Sequence, residues 1–262
     1  MNTGSSQPQF VTVGSGDDKR QIAARIRAPT KEGHSPVLVW FGGYRSDMKG
    51  TKAAELDRYA EECGLGCIRF DYSGHGETGG DFRKGTISRW LEEAKAVIES
   101  ENPADMIFIG SSMGGWIALR LLQLLQNANS SPVRGLVLIA PAPDFTSALI
   151  EPNLGDAERL SLAEKGYFEE VSEYSSQPNI FTRDLLEDGR RHQLLDGLIV
   201  TGCPVHILQG MEDADVPFSH ALKLMHHLPS DDVVMTLIKD GDHRLSRPSD
   251  IEKMLAAVAA FV

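Results

Sequence analysis

From residue 37 to residue 140 the chain alternates between two spacings of its apolar residues. Val37-Leu38-Val39-Trp40-Phe41 is apolar throughout, as a strand covered on both faces must be, and Cys67–Phe70, Met106–Ile109 and Leu136–Ala140 are further short strand candidates. Between them Thr51–Glu62, Ile87–Glu99 and Trp116–Leu125 carry the helical period. In the second of these, Ile87, Trp90, Leu91, Ala94, Val97 and Ile98 share one face and predict a helix seated on a core rather than a binding stripe. Strand and helix in rotation predict a mainly parallel sheet flanked by helices on both faces. Two earlier runs, Phe10–Val13 and Gln21–Ala28, flank Gly-Ser-Gly-Asp-Asp and predict an antiparallel hairpin capping one sheet edge.

After Pro141 the rhythm loosens and resumes only at Val205–Leu208, a gap far longer than an ordinary connection. We expect residues 142–203 to form a small inserted cap, with helices over Ala157–Phe168 and Phe181–Leu195 and scattered aromatics in Tyr167, Phe168, Tyr174 and Phe181. Helix Ser219–Leu228, strand Val233–Ile238 and helix Asp250–Phe261 follow, and Ser249 with Glu252 suggests a capping box for the last. No repeat or linker divides the chain, so residues 1–262 are expected to form one α/β domain.

Composition narrows the function. A chain of 262 residues buries about 70 to 75 % of its unfolded surface without staples. The formal net charge of −11 excludes nucleic acid and anionic membrane surfaces as natural partners, since both would repel it. Cys63, Cys67 and Cys203 are too few for a disulfide framework, and no Cys or His pair completes a metal site with the first two. The polar stretch Met1–Gln9 lacks the features of a signal or transit peptide, and the longest apolar run, Met254–Val262, falls far short of the roughly 20 residues that span a bilayer. A cytoplasmic protein with no stable membrane insertion is expected.

The chemistry centres on Gly110-Ser111-Ser112-Met113-Gly114, which follows an apolar run and opens a helical one. That is the pattern of a nucleophile elbow, a sharp turn that holds its central side chain above the sheet and tolerates only small residues two positions either side. Ser112 has Gly110 and Gly114 there; Ser111 would have Ile109 and Met113. Ser112 is therefore the candidate nucleophile. A serine hydroxyl needs a histidine to take its proton and a carboxylate to hold that imidazole, and open α/β sheets supply both from strand ends.

His243 follows the strand Val233–Ile238, Asp213 follows Val205–Leu208, and the order Ser112, Asp213, His243 is the one such folds use. Asp215 competes with Asp213 but adjoins Val216-Pro217, where a helix should start. His34, His192, His206, His220, His226 and His227 read as surface or core residues, His75 as a turn residue that could also approach substrate, and Asp47, Asp71 and Asp240 as structural or solvated. The oxyanion formed on attack needs preset donors. The amide of Met113 is one candidate, and the loop Gly42-Gly43-Tyr44 offers the other, the N–H of Tyr44 being preferred.

With these motifs in place, the chain resembles serine hydrolases of the α/β-hydrolase superfamily over nearly its whole length. Gly43-Tyr44 with Gly50-Thr51-Lys52-Ala53, the runs Cys67 to Gly74 and Gly110 to Trp116, Gly210 to Asp213 with Val216-Pro217, and Asp242-His243-Arg244 carry a narrower likeness. They resemble the branch of the mitochondrial α/β-hydrolase-domain protein ten, a palmitoyl-protein thioesterase and acyl-glucuronide esterase. One departure is Gly42, which stands where many members carry a histidine before the first oxyanion donor. The resemblance implies a cofactor-independent hydrolase of carboxylic esters or acyl thioesters, acting on a small molecule or an acylated protein. A peptidase or lyase on the same scaffold, or a binding protein without chemistry, are the alternatives. A dehalogenase would need a carboxylate where Ser112 stands.

Overall fold

In the strand Val37–Phe41, Leu38 and Trp40 bury into one core and Val39 and Phe41 into another, so the sheet must be covered from both sides. The computed structural model describes residues 7–30, 35–128, 132–172, 177–229 and 232–262. His34, Tyr174 and most of the N-terminal stretch singled out above lie outside the described residues.

In chain order the elements are β1 (Gln9–Val13), β2 (Arg20–Arg27), β3 (Val37–Phe41), α1 (Thr51–Cys63), β4 (Gly66–Phe70), α2 (Ile87–Glu101), β5 (Met106–Ser111), α3 (Met113–Asn127) and β6 (Val133–Ile139). Then come α4 (Asp156–Lys165), β7 (Tyr167–Glu170), β8 (Asn179–Thr182), α5 (Arg183–Arg191), β9 (Val205–Gly210), α6 (Phe218–His227), β10 (Val233–Ile238) and α7 (Pro248–Ala259). Eight strands form one sheet in the order β1-β2-β4-β3-β5-β6-β9-β10. β2 runs antiparallel to both neighbours, while every pairing from β4 to β10 is parallel. The expected hairpin is thus β1–β2 at the sheet edge, with Val13 opposite Arg20.

The helices divide between the faces. α1 and α7 cover Leu38, Trp40, Ile107, Ile109, Val137 and Ile139, whereas α2, α3 and α6 cover Val39, Phe41, Phe108, Leu136 and Leu138. In α2 all six predicted face residues are buried, and Thr86 caps it by accepting from the N–H of Arg89 at 3.1 Å.

Three local expectations change. Phe168 and Phe181 lie in strands, not helices. β7 and β8 pair antiparallel with Phe168 opposite Phe181, their rings 5.2 Å apart, in a separate two-stranded sheet. Gly166 at φ 81° ends α4 before Phe168, and Thr182 Oγ1, accepting from Leu185 N–H at 3.1 Å, starts α5 after Phe181. α5 also stops at Arg191, short of Leu195. In place of a Ser249–Glu252 capping box, Pro248 opens α7 and the Asp250 carboxylate accepts from the N–H of Arg247 at 3.2 Å and from its guanidinium at 2.8 Å.

The segment between β6 and β9 is anchored where it leaves and rejoins the sheet. Asp144, at φ 55°, accepts from the N–H of Leu194 at 2.9 Å and of Leu195 at 2.8 Å, and Trp116 Nε1–H donates to His192 O at 3.0 Å. Burial pushes the Asp144 carboxyl up, against the pull of those two amides. Among the described residues no helix is long and apolar enough to cross a membrane.

Candidate active site

Ser112 follows β5 directly and is the residue before α3, with φ 54° and ψ −121°, a backbone state that a non-glycine residue enters only under constraint. The constraint is visible. Ser112 N–H donates to Ile139 O at 2.9 Å, while its own carbonyl accepts from Gly115 and Ala142 N–H at 2.9 and 3.1 Å. The flanking glycines are steric necessities: a Cβ on Gly114 would stand 2.1 Å from Phe41 O, and one on Gly110 2.7 Å from Gly114 O. Ser111 is instead a buried residue at the end of β5.

The histidine and the acid reach Ser112 from two loops zipped together. Met211 N–H donates to Ile238 O and Glu212 N–H to Gly241 O, both at 2.9 Å, which holds the turn after β9 against the turn after β10. From them, His243 Nδ1 lies 2.8 Å from Asp213 Oδ2 and His243 Nε2 lies 3.1 Å from Ser112 Oγ. Asp213 Oδ1 accepts from the N–H groups of Asp215 and Val216 at 3.0 and 2.8 Å, and Oδ2 also accepts from Gln209 Nε2 at 3.1 Å. An acceptor-only carboxylate fits those donors, so the proton on Nδ1 points at Asp213 and Nε2 keeps a lone pair for the serine hydroxyl.

Asp215 reaches this cluster through its backbone N–H, which bonds Asp213. Asp213, Asp215 and His243 offer ligand atoms within 4.8 Å of one another, and the Asp213 oxygens and both His243 nitrogens are already engaged in the hydrogen bonds given above.

The structure gives supporting roles to three further residues, of which only His75 is a candidate in the sequence. Gln209, fully buried near the end of β9, steadies Asp213, and a polar side chain between Leu208 and Gly210 is the available signal. Lys52 Nζ, from the first turn of α1, donates to the carbonyl of Arg244, next to His243; burial, with Arg244 nearby, pushes its ammonium down to about 8. His75 is neither on the substrate side nor merely a turn residue. It is buried among Tyr72, Phe82 and Trp90, its Nδ1 faces Ser73 O at 3.2 Å, and its Nε2 accepts from Arg45 N–H at 3.1 Å. Burial pushes it down to about 4, so it holds that amide as a neutral ring.

Of the remaining histidines, His220 bonds Pro143 O, His206 bonds Thr236 and His227 bonds Gly197 O, all away from Ser112. Asp71 accepts from the Met48 and Glu77 amides, Asp47 from the Lys49 amide, and Asp240 pairs with Arg247.

Tyr44, Met113, Ser112 and His243 line one cavity of about 790 Å³, walled by Phe145, Leu149, Ile150, Phe168 and Phe181 and bordered by Glu158, Glu169, Glu170 and Asp215. The Gly43 backbone packs on Ser112, where an added Cβ would stand 3.3 Å from Ser112 Cβ. Met113 N–H opens α3 and has no acceptor within its own helix.

Residues 33–260 match the Alpha/beta hydrolase family. The chain belongs to that family. A protein from Agrobacterium vitis S4 is 63% identical to this α/β hydrolase and superposes with a TM-score of 0.95, over 98% of each chain. The human mitochondrial palmitoyl-protein thioesterase ABHD10 is 30% identical over 229 residues, 87% of this chain and 73% of its own. The structure of mouse alpha/beta hydrolase domain-containing protein 10 superposes with a TM-score of 0.81 at 26% identity, over 97% of this α/β hydrolase and 98% of the mouse chain. Family and relatives place the protein among hydrolases.

Proposed function

We propose that the protein is a serine hydrolase cleaving carboxylic esters or acyl thioesters through an acyl-enzyme. The observation that carries this is His243 held between Asp213 at 2.8 Å and Ser112 Oγ at 3.1 Å, with Ser112 on a strained elbow beside a cavity of mixed aromatic, aliphatic and charged lining. Ser112 Oγ attacks the acyl carbonyl as His243 Nε2 takes its proton. The negative charge on the former carbonyl oxygen falls to the N–H groups of Tyr44 and Met113. The tetrahedral adduct collapses, the bond to the alkoxide or thiolate breaks, and His243 returns the proton to the departing group. Water, deprotonated by the same imidazole, then releases the acid and restores Ser112. Each oxyanion donor lowers the barrier by about 3 kcal/mol, and Asp213 keeps the imidazole in the tautomer that can accept.

In this reading residues 1–262 form one catalytic domain and residues 142–203 a cap whose aromatic and aliphatic side chains receive the acyl group. The thioesterase relatives support thioesters and acylated proteins as substrates beside small-molecule esters. Cys63, Cys67 and Cys203 are free thiols, which fits a reducing compartment such as the cytoplasm, while the relatives' names carry a mitochondrial label. The test is Ser112→Ala assayed on p-nitrophenyl butyrate and an acyl thioester, with fluorophosphonate labelling of both proteins. Loss of turnover and of labelling together is expected; an alanine variant that turns over either substrate normally refutes the mechanism.

A further inference from the structure

The side chain of Tyr44 does something its backbone role does not require. Its phenol donates to the carbonyl of Ile180 in β8, far along the chain, and its ring lies parallel to Phe181 at 5.3 Å and 8°. Phe82 meets the same ring edge-on at 4.9 Å and Phe145 packs at 5.8 Å. On the other side the turn closes on itself, with Ser46 N–H donating to Gly43 O at 3.2 Å, and is pinned to the loop after β4 by Arg45 N–H, at φ 56°, which donates to His75 Nε2 at 3.1 Å. The turn that carries Tyr44, the oxyanion donor of the function proposed above, therefore has two anchors. One is built into the loop after β4, the other belongs to the segment between β6 and β9.

We propose that the Tyr44 side chain is a positioning residue through which the cap sets the oxyanion hole, so that seating of β7–β8 over the cavity and presentation of the Tyr44 amide are one event. The proposal rests on the function proposed above. A phenol crowded by aromatic rings has few alternative partners, so movement of β8 would leave its O–H unsatisfied, a cost larger than the net value of an exposed hydrogen bond. Burial pushes the phenol's pKa upward and keeps it a neutral donor at any physiological pH. Oxyanion donors act only when held within about 0.5 Å of the productive geometry, and deleting the phenol's bond removes one of the two anchors that hold this turn. Cap contacts with the acyl group would in this way be spent on the transition state, not only on binding.

The experiment is Tyr44→Phe, which keeps the amide and the ring and deletes only the bond to Ile180. Active sites are counted by fluorophosphonate titration, so that misfolded protein does not enter the rate. Per titrated site, kcat for p-nitrophenyl butyrate should fall roughly five- to tenfold with KM unchanged. Affinity for a trifluoromethyl ketone, whose adduct with Ser112 places an oxyanion in the hole, should weaken by the same factor. Unchanged kcat per site and unchanged ketone affinity would overturn the proposal, and so would a rise in KM alone, which would mark Tyr44 as a binding contact. If Ser112→Ala has meanwhile abolished turnover, either result refutes the coupling and leaves the serine mechanism standing.

Discussion

His75 makes the acid stability of this protein predictable in sign and size. Its imidazole titrates near 6.5 in the unfolded chain and, buried against Tyr72, Phe82 and Trp90, near 4 in the folded one. Below pH 6.5 the unfolded chain therefore binds a proton that the folded chain refuses, so stability falls as pH falls, and the loss is complete once the pH has passed through about 4. Integrating between those values gives a loss of about 2 kcal/mol at pH 5 and about 3 kcal/mol below pH 4 from this one group. His75→Gln removes the titration while keeping a side chain that can accept from Arg45 N–H. Urea midpoints at pH 7.5 and 5.0 should show wild type losing about 2 kcal/mol more than the variant between the two conditions. The other buried histidines and carboxylates are common to both proteins and cancel in the difference. Equal losses would show that His75 is not buried as a neutral ring, and the account of how the Arg45 turn is anchored would fall with it.

Three further outcomes are expected. Asp213→Asn should reduce kcat about 10³- to 10⁴-fold, because an amide must either donate to His243 Nδ1, reversing the tautomer, or oppose the Asp215 and Val216 N–H groups; a loss below tenfold on p-nitrophenyl butyrate would contradict this. Gly114→Ala should destabilise by about 3 kcal/mol, since the new methyl meets Phe41 O at 2.1 Å; a urea midpoint within error of wild type would refute the steric argument. With Glu158, Glu169, Glu170 and Asp215 against Arg45 on the cavity, a polyanionic coenzyme A thioester should show kcat/KM about tenfold below that of the neutral N-acetylcysteamine thioester of the same acid at 10 mM salt, the gap closing near 150 mM; a ratio insensitive to salt would rule out charge exclusion.

Where the chain's own stereochemistry carries a requirement, that requirement is legible in the sequence. The choice of Ser112 over Ser111 follows from the residues two positions away, and the structure supplies the atoms, Phe41 O and Gly114 O, that make glycine necessary there. The alternating strands and helices are legible because burial on both faces forces continuous apolar runs. Four-residue strands such as β7 and β8 are too short for a period of two to stand out from a helical one, and only the Phe168–Phe181 pairing distinguishes them. The roles of Lys52 and His75 stay hidden for a different reason. Lys52 acts on a carbonyl 192 residues away and His75 on an amide 30 residues away, and backbone acceptors and donors leave no trace in residue identity.

The Asp144 clamp ties residues 50 and 51 positions apart into a closed stem. Everything between forms a cassette that docks through this base and through the Tyr44–Ile180 and Ser88–Asp188 bonds, and contributes no strand to the main sheet. Substitution or exchange of that cassette between members of the family should reshape what enters the cavity while leaving Ser112, Asp213 and His243 on the rigid platform that aligns them. New specificity can arise here by trading one loop, provided the incoming segment brings a carbonyl to where Ile180 now meets Tyr44.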